Sequence, residues 1–259
     1  MKRRKTYYAG PLVLSADYPA RSRGDSPKTR AAKTKASTEA QRRFNQIASQ
    51  QELELRLAAN FPRAGSGLVV TLTYDDKHLP SSRKQALRQF KYFLKRLREE
   101  RKRLGLPAPR VIYAPEVLTS ESGRWHFHLV MDNTGDDLPT LRRCWIYGSD
   151  IECVKLRVDA EKDHASQARY MSKEMREAQE YECRPGLHGW SCTRNCLKPE
   201  VDVQLVEDAE PLEPPKGAAV LLFERRETDF AGYVILKYRY DGSAFPAPRR
   251  ARRRRRRAL

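Results

Sequence analysis

The chain has 259 residues and carries 51 Lys and Arg against 33 Asp and Glu, a formal charge of +18. An excess of that size calls for a polyanionic partner, nucleic acid before an anionic membrane surface. No apolar run reaches the ~18 residues of a spanning helix and no signal peptide follows the basic start. The five cysteines do not resemble a disulfide framework, so a soluble protein in a reducing, cytoplasmic compartment is expected.

Residues 1–36 are dense in Lys, Arg, Ser and Ala, with few large apolar groups to offset the entropy of ordering, and read as a disordered basic arm. A helix is expected from Ser37 to Asn60, capped by Ser37 or Thr38, with Phe44, Ile47 and Ala48 at helical spacing and Phe61-Pro62 as its stop. After a Gly-rich loop, Leu68-Val69-Val70-Thr71-Leu72-Thr73-Tyr74 is β-branched and apolar enough to be a buried strand, closed by Asp75-Asp76. Ser81 or Ser82 then opens a long helix to about Arg103, with Leu87, Phe90, Leu94 and Leu97 on one stripe and basic residues on the rest. Gly105 and Pro107 end it.

Arg110 to Val117 follows as a strand; Pro115 cannot donate to a ladder, which points to an edge or a bulge there. The loop Thr119-Ser120-Glu121-Ser122-Gly123 returns the chain into Arg124-Trp125-His126-Phe127-His128-Leu129-Val130. On a strand, His126 and His128 share one face while Trp125, Phe127 and Leu129 share the other. Two imidazoles at that spacing suit a divalent metal or a hydrogen-bonded pair on a half-exposed sheet, and the pair alone leaves both open. Glu116 joins the histidine face in one hairpin register and leaves it in the next, which the sequence does not decide.

Beyond Trp145-Ile146-Tyr147-Gly148, Ile151 to Val158 reads as another strand and Asp163 to about Glu180 as a helix burying Ala168, Met171, Met175 and Ala178. Tyr170 and Lys173, three apart, are neighbours on a different stripe of it. Cys183, His188, Cys192 and Cys196 match no common zinc spacing and are expected to be loop thiols. The acidic, proline-rich Glu207 to Lys216 reads as a linker, and Ala218 to Phe223 with Tyr233 to Tyr240 as a small hairpin. Arg249 to Arg257 is a polyarginine tail, expected to be disordered and to bind phosphates without reading sequence, or to serve as a nuclear address.

The order of three elements carries a resemblance: Thr71-Leu72-Thr73-Tyr74-Asp75-Asp76 running into Lys77-His78-Leu79-Pro80, then His126-Phe127-His128, then Tyr170-Met171-Ser172-Lys173. Residues 67–200 thereby resemble the HUH endonuclease superfamily, in particular the single-tyrosine rolling-circle replication initiators of single-stranded DNA phages, prophages and plasmids. The resemblance implies an α+β fold with a mainly antiparallel central sheet and helices packed on one face, as in HUH and RRM-like domains. It implies Mg²⁺ or Mn²⁺ held by His126 and His128, with Glu116 as the carboxylate of choice on the neighbouring strand. Tyr170 would be the nucleophile on single-stranded origin DNA and Lys173 a phosphate-side helper.

Thr71, Thr73 and His78 are weaker candidates for the same region. No Gly-x-x-x-x-Gly-Lys-Ser/Thr loop is present, so unwinding and synthesis would fall to a host helicase and polymerase in a bacterial cell. A relaxase or single-strand transposase would use the same chemistry, and a non-enzymatic basic DNA-binding or packaging protein is the rival of another class. The expected divisions are the arm at 1–36, a helix and loop at 37–66, the endonuclease domain at 67–200, linker and hairpin at 201–248, and the tail at 249–259.

Overall fold

The computed structural model describes residues 1–20, 39–116, 124–159, 163–173, 189–228 and 231–240. In chain order, the elements begin with strands Lys2–Ala9 (β1) and Leu12–Pro19 (β2), helix Glu39–Asn60 (α1), strand Gly67–Thr73 (β3) and helix Arg83–Arg103 (α2). Strands Val111–Glu116 (β4) and His126–Asp132 (β5), helix Asp137–Cys144 (α3), strand Ile151–Lys155 (β6) and helix Ala165–Met171 (α4) follow. The last strands are Ser191–Cys192 (β7), Glu200–Val206 (β8), Ala219–Thr228 (β9) and Ala231–Arg239 (β10). The chain divides into two units, Met1–Arg30 with Lys198–Leu259, and Ala31–Leu197, each built on its own five-stranded antiparallel sheet.

In the second unit the strand order is β6-β3-β5-β4-β7, which puts the histidine strand at the centre. The strand alternation sorts β5 cleanly: Phe127, Leu129 and Met131 go to one side with Val70, Leu72, Val111 and Tyr113, all buried. The apolar stripe of α2 covers that side through Ala86, Phe90, Phe93, Leu94 and Leu97, and α3 adds Leu141 and Cys144. Phe90 stacks on Phe127 with ring centres 4.2 Å apart, and each such side chain fully buried contributes about 1.5–3 kcal/mol. Ser82 caps α2 as expected, its hydroxyl accepting from the Gln85 amide. The helix α3 had no clear signal in the sequence; it is anchored by Arg101, fully buried, which pairs with Asp132 at the end of β5 and with Asp137 at 2.9 Å.

The opposite side of this sheet is divided. Over Val69, Ile112 and Val130 lie α1 and α4, contributing Leu53, Leu57, Phe61, Ala168 and Met171 to a second core. Helices therefore cover part of the histidine face as well as the face beneath α2. In α1 the buried residues are Leu53, Leu55, Leu57 and Ala58, whereas Phe44 and Ile47, the expected stripe, are 65% and 52% exposed. The helical spacing of Phe44 and Ile47 was real, but the packed part of the helix lies one to three turns further along. Pro115 sits in β4 beyond the short pairing with β7, which reaches only Ile112 and Tyr113, so its missing N–H interrupts no ladder.

The first unit has strand order β8-β1-β2-β10-β9. Two sequence expectations are corrected here. Residues 1–20, read as part of a disordered arm, form a hairpin whose turn is made by Gly10 at φ 60° and Pro11. The region read as linker and hairpin begins with β8, paired along β1 from Glu200 to Val206. The basic residues that made the start look unfoldable are neutralised by partners distant in sequence: Arg4 donates to Asp17 at 2.8 Å and to Glu210 at 2.8 Å, and Lys2 pairs with Asp17 at 3.0 Å. The β9–β10 hairpin forms where a terminal hairpin was expected. The polyarginine tail, Cys183, His188, Met175 and Ala178 lie outside the described residues.

Candidate active site

The half of the sheet face left open by α1 and α4 carries the polar residues. In register, Glu116 on β4 is opposite His126 on β5, and Ala114 is opposite His128. On the other side of β5, Thr73 is opposite His126 and Thr71 opposite His128, and on β6 Glu152 is opposite Thr71. Strand pairing thus puts Glu116, His126, His128, Thr71, Thr73 and Glu152 on one face, settling the register in which Glu116 joins the histidines.

His128, 4% exposed, is the hub. Its Nε2 meets Glu116 Oε2 in a hydrogen-bonded ion pair, and its Nδ1 lies 3.3 Å from Thr71 Oγ1. The Tyr170 hydroxyl lies 3.4 Å from Nε2 and 3.5 Å from Nδ1, with the phenol ring edge-on to the imidazole at 4.9 Å between centres. The His126 ring is 6.3 Å from that of His128.

Tyr170 reaches this face because α4 is pinned at both ends. At its start, Asp159 accepts from the Ser166 amide at 2.8 Å and Asp163 from the Ala165 amide at 3.2 Å, serving N–H groups that lack helical partners. Ala168 and Met171 are buried beneath it while Tyr170 is 49% exposed. The helix closes at Met171 with Ser172 as its cap, shorter than the expected run to Glu180, whose remaining residues lie outside the described ones. Lys173 follows the cap, and its charge is among those that act on Glu116.

The electrostatics follow from this crowding. Burial pushes the Glu116 carboxyl up, but the His128 hydrogen bond and the charges of His128, Lys173 and His126 outweigh it, and the net shift is down. Burial and the neighbouring His128 lower His126, against the opposing pull of Glu116 and Asp150. Burial raises the Tyr170 hydroxyl, and the Glu116 and Glu152 carboxylates raise it further. Tyr170 is therefore a neutral phenol at pH 7, and an attack from it needs charge stabilised at the electrophile.

Two imidazoles and a carboxylate on one face are a donor set suited to a divalent ion. Among the described residues no three His, Cys, Asp or Glu side chains converge as a ready metal cage. His128 and Glu116 instead satisfy each other, so a metal would exchange for that hydrogen bond. Cys192 and Cys196 share a hydrogen bond that, together with burial, raises the Cys196 thiol, which is the behaviour of packed thiols rather than of zinc ligands.

Beside the site, the end of β3 is clamped. Trp145 Nε1 donates to Thr73 O at 3.0 Å, the Asp75 amide donates to Tyr147 O at 3.0 Å, and Arg124 bridges to Asp76 at 2.7 Å. Gly148 packs so closely that a Cβ there would stand 2.1 Å from Thr73 O. His78 does not reach the histidine pair; it is exposed and bonded to Asp75 Oδ1 at 2.7 Å. Two features escaped the sequence reading. Thr71 holds His128, and Glu152 shares its face only because β6 pairs with β3, an adjacency that no local pattern in the chain reveals.

An antiparallel sheet with a helix tyrosine poised over a histidine–carboxylate pair is consistent with the HUH and RRM-like class of fold. Residues 67–178, from β3 to beyond α4, match the family model of replication-associated proteins of the ORF2 type. No curated protein and no solved structure matches the chain. The family match supports a role as a replication initiator, with DNA as partner. Among the described residues no helix is long and apolar enough to cross a membrane.

Proposed function

We propose that the protein is a rolling-circle initiator that nicks single-stranded origin DNA and conserves the bond as a 5′-phosphotyrosine on Tyr170. The observation that carries this reading is the Tyr170 hydroxyl within 3.5 Å of both nitrogens of His128, a histidine already held by Glu116 and Thr71, inside the segment that matches replication-associated proteins. A replication role requires a 3′ end, and a tyrosine ester is the simplest way to make one reversibly.

In the step proposed, the Tyr170 oxygen forms a bond to phosphorus while the bond from phosphorus to the 3′ oxygen breaks. The phenolic proton is delivered, through solvent, to the departing oxygen, leaving a 3′-hydroxyl primer and a 5′-phosphotyrosine. His126, His128 and Glu116 would hold the Mg²⁺ or Mn²⁺, which supplies Lewis-acid stabilisation of the charge on the scissile phosphate. Thr71 fixes the orientation of His128, and Lys173 offsets negative charge next to the attacking residue. The reverse attack by a 3′-hydroxyl rejoins the strand without ATP. Strand separation and synthesis fall to a host helicase and polymerase, since the sequence has no nucleotide-binding loop of the Gly-x-x-x-x-Gly-Lys type.

The test is incubation with single-stranded oligonucleotides spanning origin DNA, with Mn²⁺ or with EDTA, for wild type and Tyr170→Phe. A protein–DNA adduct that survives denaturation, needs the metal and is missing from the variant is expected. Salt-sensitive binding without adduct or nick would favour a non-enzymatic basic DNA-binding protein.

A further inference from the structure

The first unit lies outside the matched segment, and the two faces of its sheet differ. One face is covered from within the unit: Val13, Leu236 and Tyr238 pack with Tyr8, Leu212 and Ala218, and Arg4 is paired with Asp17 and Glu210. The other face carries three rows fixed by strand register. Leu205, Arg3 and Tyr18 form one; Val203, Lys5, Ala16, Ile235 and Glu224 the next; Val201, Tyr7, Leu14, Lys237 and Leu222 the third. Arg239, opposite Leu12, adds a further cation on the same face.

This face is open at both edges, with Leu205 59%, Val201 48% and Leu222 37% exposed. Arg3, Lys5, Lys237 and Arg239 lie on it against Glu224, the only acid among its described side chains. Tyr7 and Tyr18 are partly exposed between these charges, and Lys5 Nζ lies 4.6 Å from the centre of the Tyr7 ring. Rings interleaved with cations on a flat sheet match a polyanion whose bases are free to stack. A duplex hides those base faces, so an unpaired strand is the fitting occupant.

We propose that this face of the β1–β2 sheet is a second binding surface for single-stranded DNA, with Tyr7 and Tyr18 as stacking platforms and Arg3, Lys5, Lys237 and Arg239 as phosphate contacts. It rests on the proposed function in that single-stranded DNA is the substrate held at Tyr170. Such a surface retains the displaced strand by backbone charge and base stacking, with little dependence on sequence.

The full chain is titrated with a labelled oligothymidylate over a series of salt concentrations. Tyr7→Leu with Tyr18→Leu removes the rings while keeping apolar bulk, and should weaken binding about 5- to 100-fold. Tyr7→Phe with Tyr18→Phe keeps the rings and should bind as wild type. Lys5→Gln with Lys237→Gln removes two phosphate contacts and should flatten the slope of log affinity against log salt by about 1.4. Thermal unfolding monitors folding; if the leucine pair does not fold, the glutamine pair and its salt slope decide the matter.

Wild-type affinity in the folded leucine pair, or an unchanged slope in the glutamine pair, overturns the proposal. So does a leucine pair altered in sedimentation but not in affinity, which would assign the face to contact between copies of the chain. Adduct formation at saturating origin DNA is read in parallel and should be unchanged in the leucine pair. Weakened binding by the leucine pair, with no adduct even in wild type, would sustain the surface while refuting the nicking role of Tyr170.

Discussion

Tyr170 is a weak nucleophile by environment: half-buried, and facing two carboxylates that oppose its ionisation. Its chemistry therefore depends on the groups that hold the electrophile, and substitutions there should cost rate more than binding. Glu116→Gln keeps the size of the side chain but removes the charge that pairs with His128. It should reduce single-turnover nicking by about 10- to 100-fold with little change in oligonucleotide affinity, the scale seen when metal-site partners are altered. Thr71→Val keeps the strand former and deletes the 3.3 Å contact to His128 Nδ1; a smaller loss, of about 2- to 10-fold in the same assay, is expected. Equal rates for wild type and both variants would remove the His128 hub from the mechanism.

At the scale of elements, the site stands on two supports that never touch it. Arg101 is fully buried and ties α2 to the end of β5 and the start of α3. Arg101→Met leaves Asp132 and Asp137 without their cation and should cost about 3–5 kcal/mol in denaturant unfolding of this unit. Gly148→Ala forces a Cβ against Thr73 O and should displace the end of β3 that faces His126, lowering nicking while the far end of the sheet keeps its amide protection. Strands and helices with unbroken alternation or stripes, such as β3, α2 and β5, were legible in the sequence because local periodicity and packing agree in them. The strand pairing was not, because the partner of a strand is chosen by the whole sheet; Glu116 beside His126 and Glu152 beside Thr71 are consequences of that choice. The short α3, whose anchor is a buried arginine on another helix, had no local signature strong enough to find.

For the whole molecule, charge is both the signal and the source of error. The +18 total pointed to nucleic acid, yet the same basic residues made the first 20 positions look disordered when they are strands whose charges meet Asp17 and Glu210. Burial raises Asp17, but its hydrogen bonds to Arg4 and Lys2 prevail and the net shift is down. A carboxylate lowered in the folded state contributes stability that is present above its unfolded value and lost as pH falls through the folded one. Thermal unfolding of the first unit should therefore be steady near neutrality and decline below about pH 4, and Asp17→Asn should flatten that decline. An unchanged acid profile in the variant would separate Asp17 from the stability of the sheet.

The nucleophile is the central claim, and its position in the chain makes it directly readable. Arg169 precedes Tyr170 and Lys173 ends the motif, so trypsin releases Tyr170-Met171-Ser172-Lys173 as a separate peptide. Mass spectrometry of the digested, nuclease-trimmed adduct should find a 5′-phosphonucleotide on that peptide, on the tyrosine oxygen. A nucleotide on any other residue, or nicked DNA with this peptide unmodified, would contradict the account.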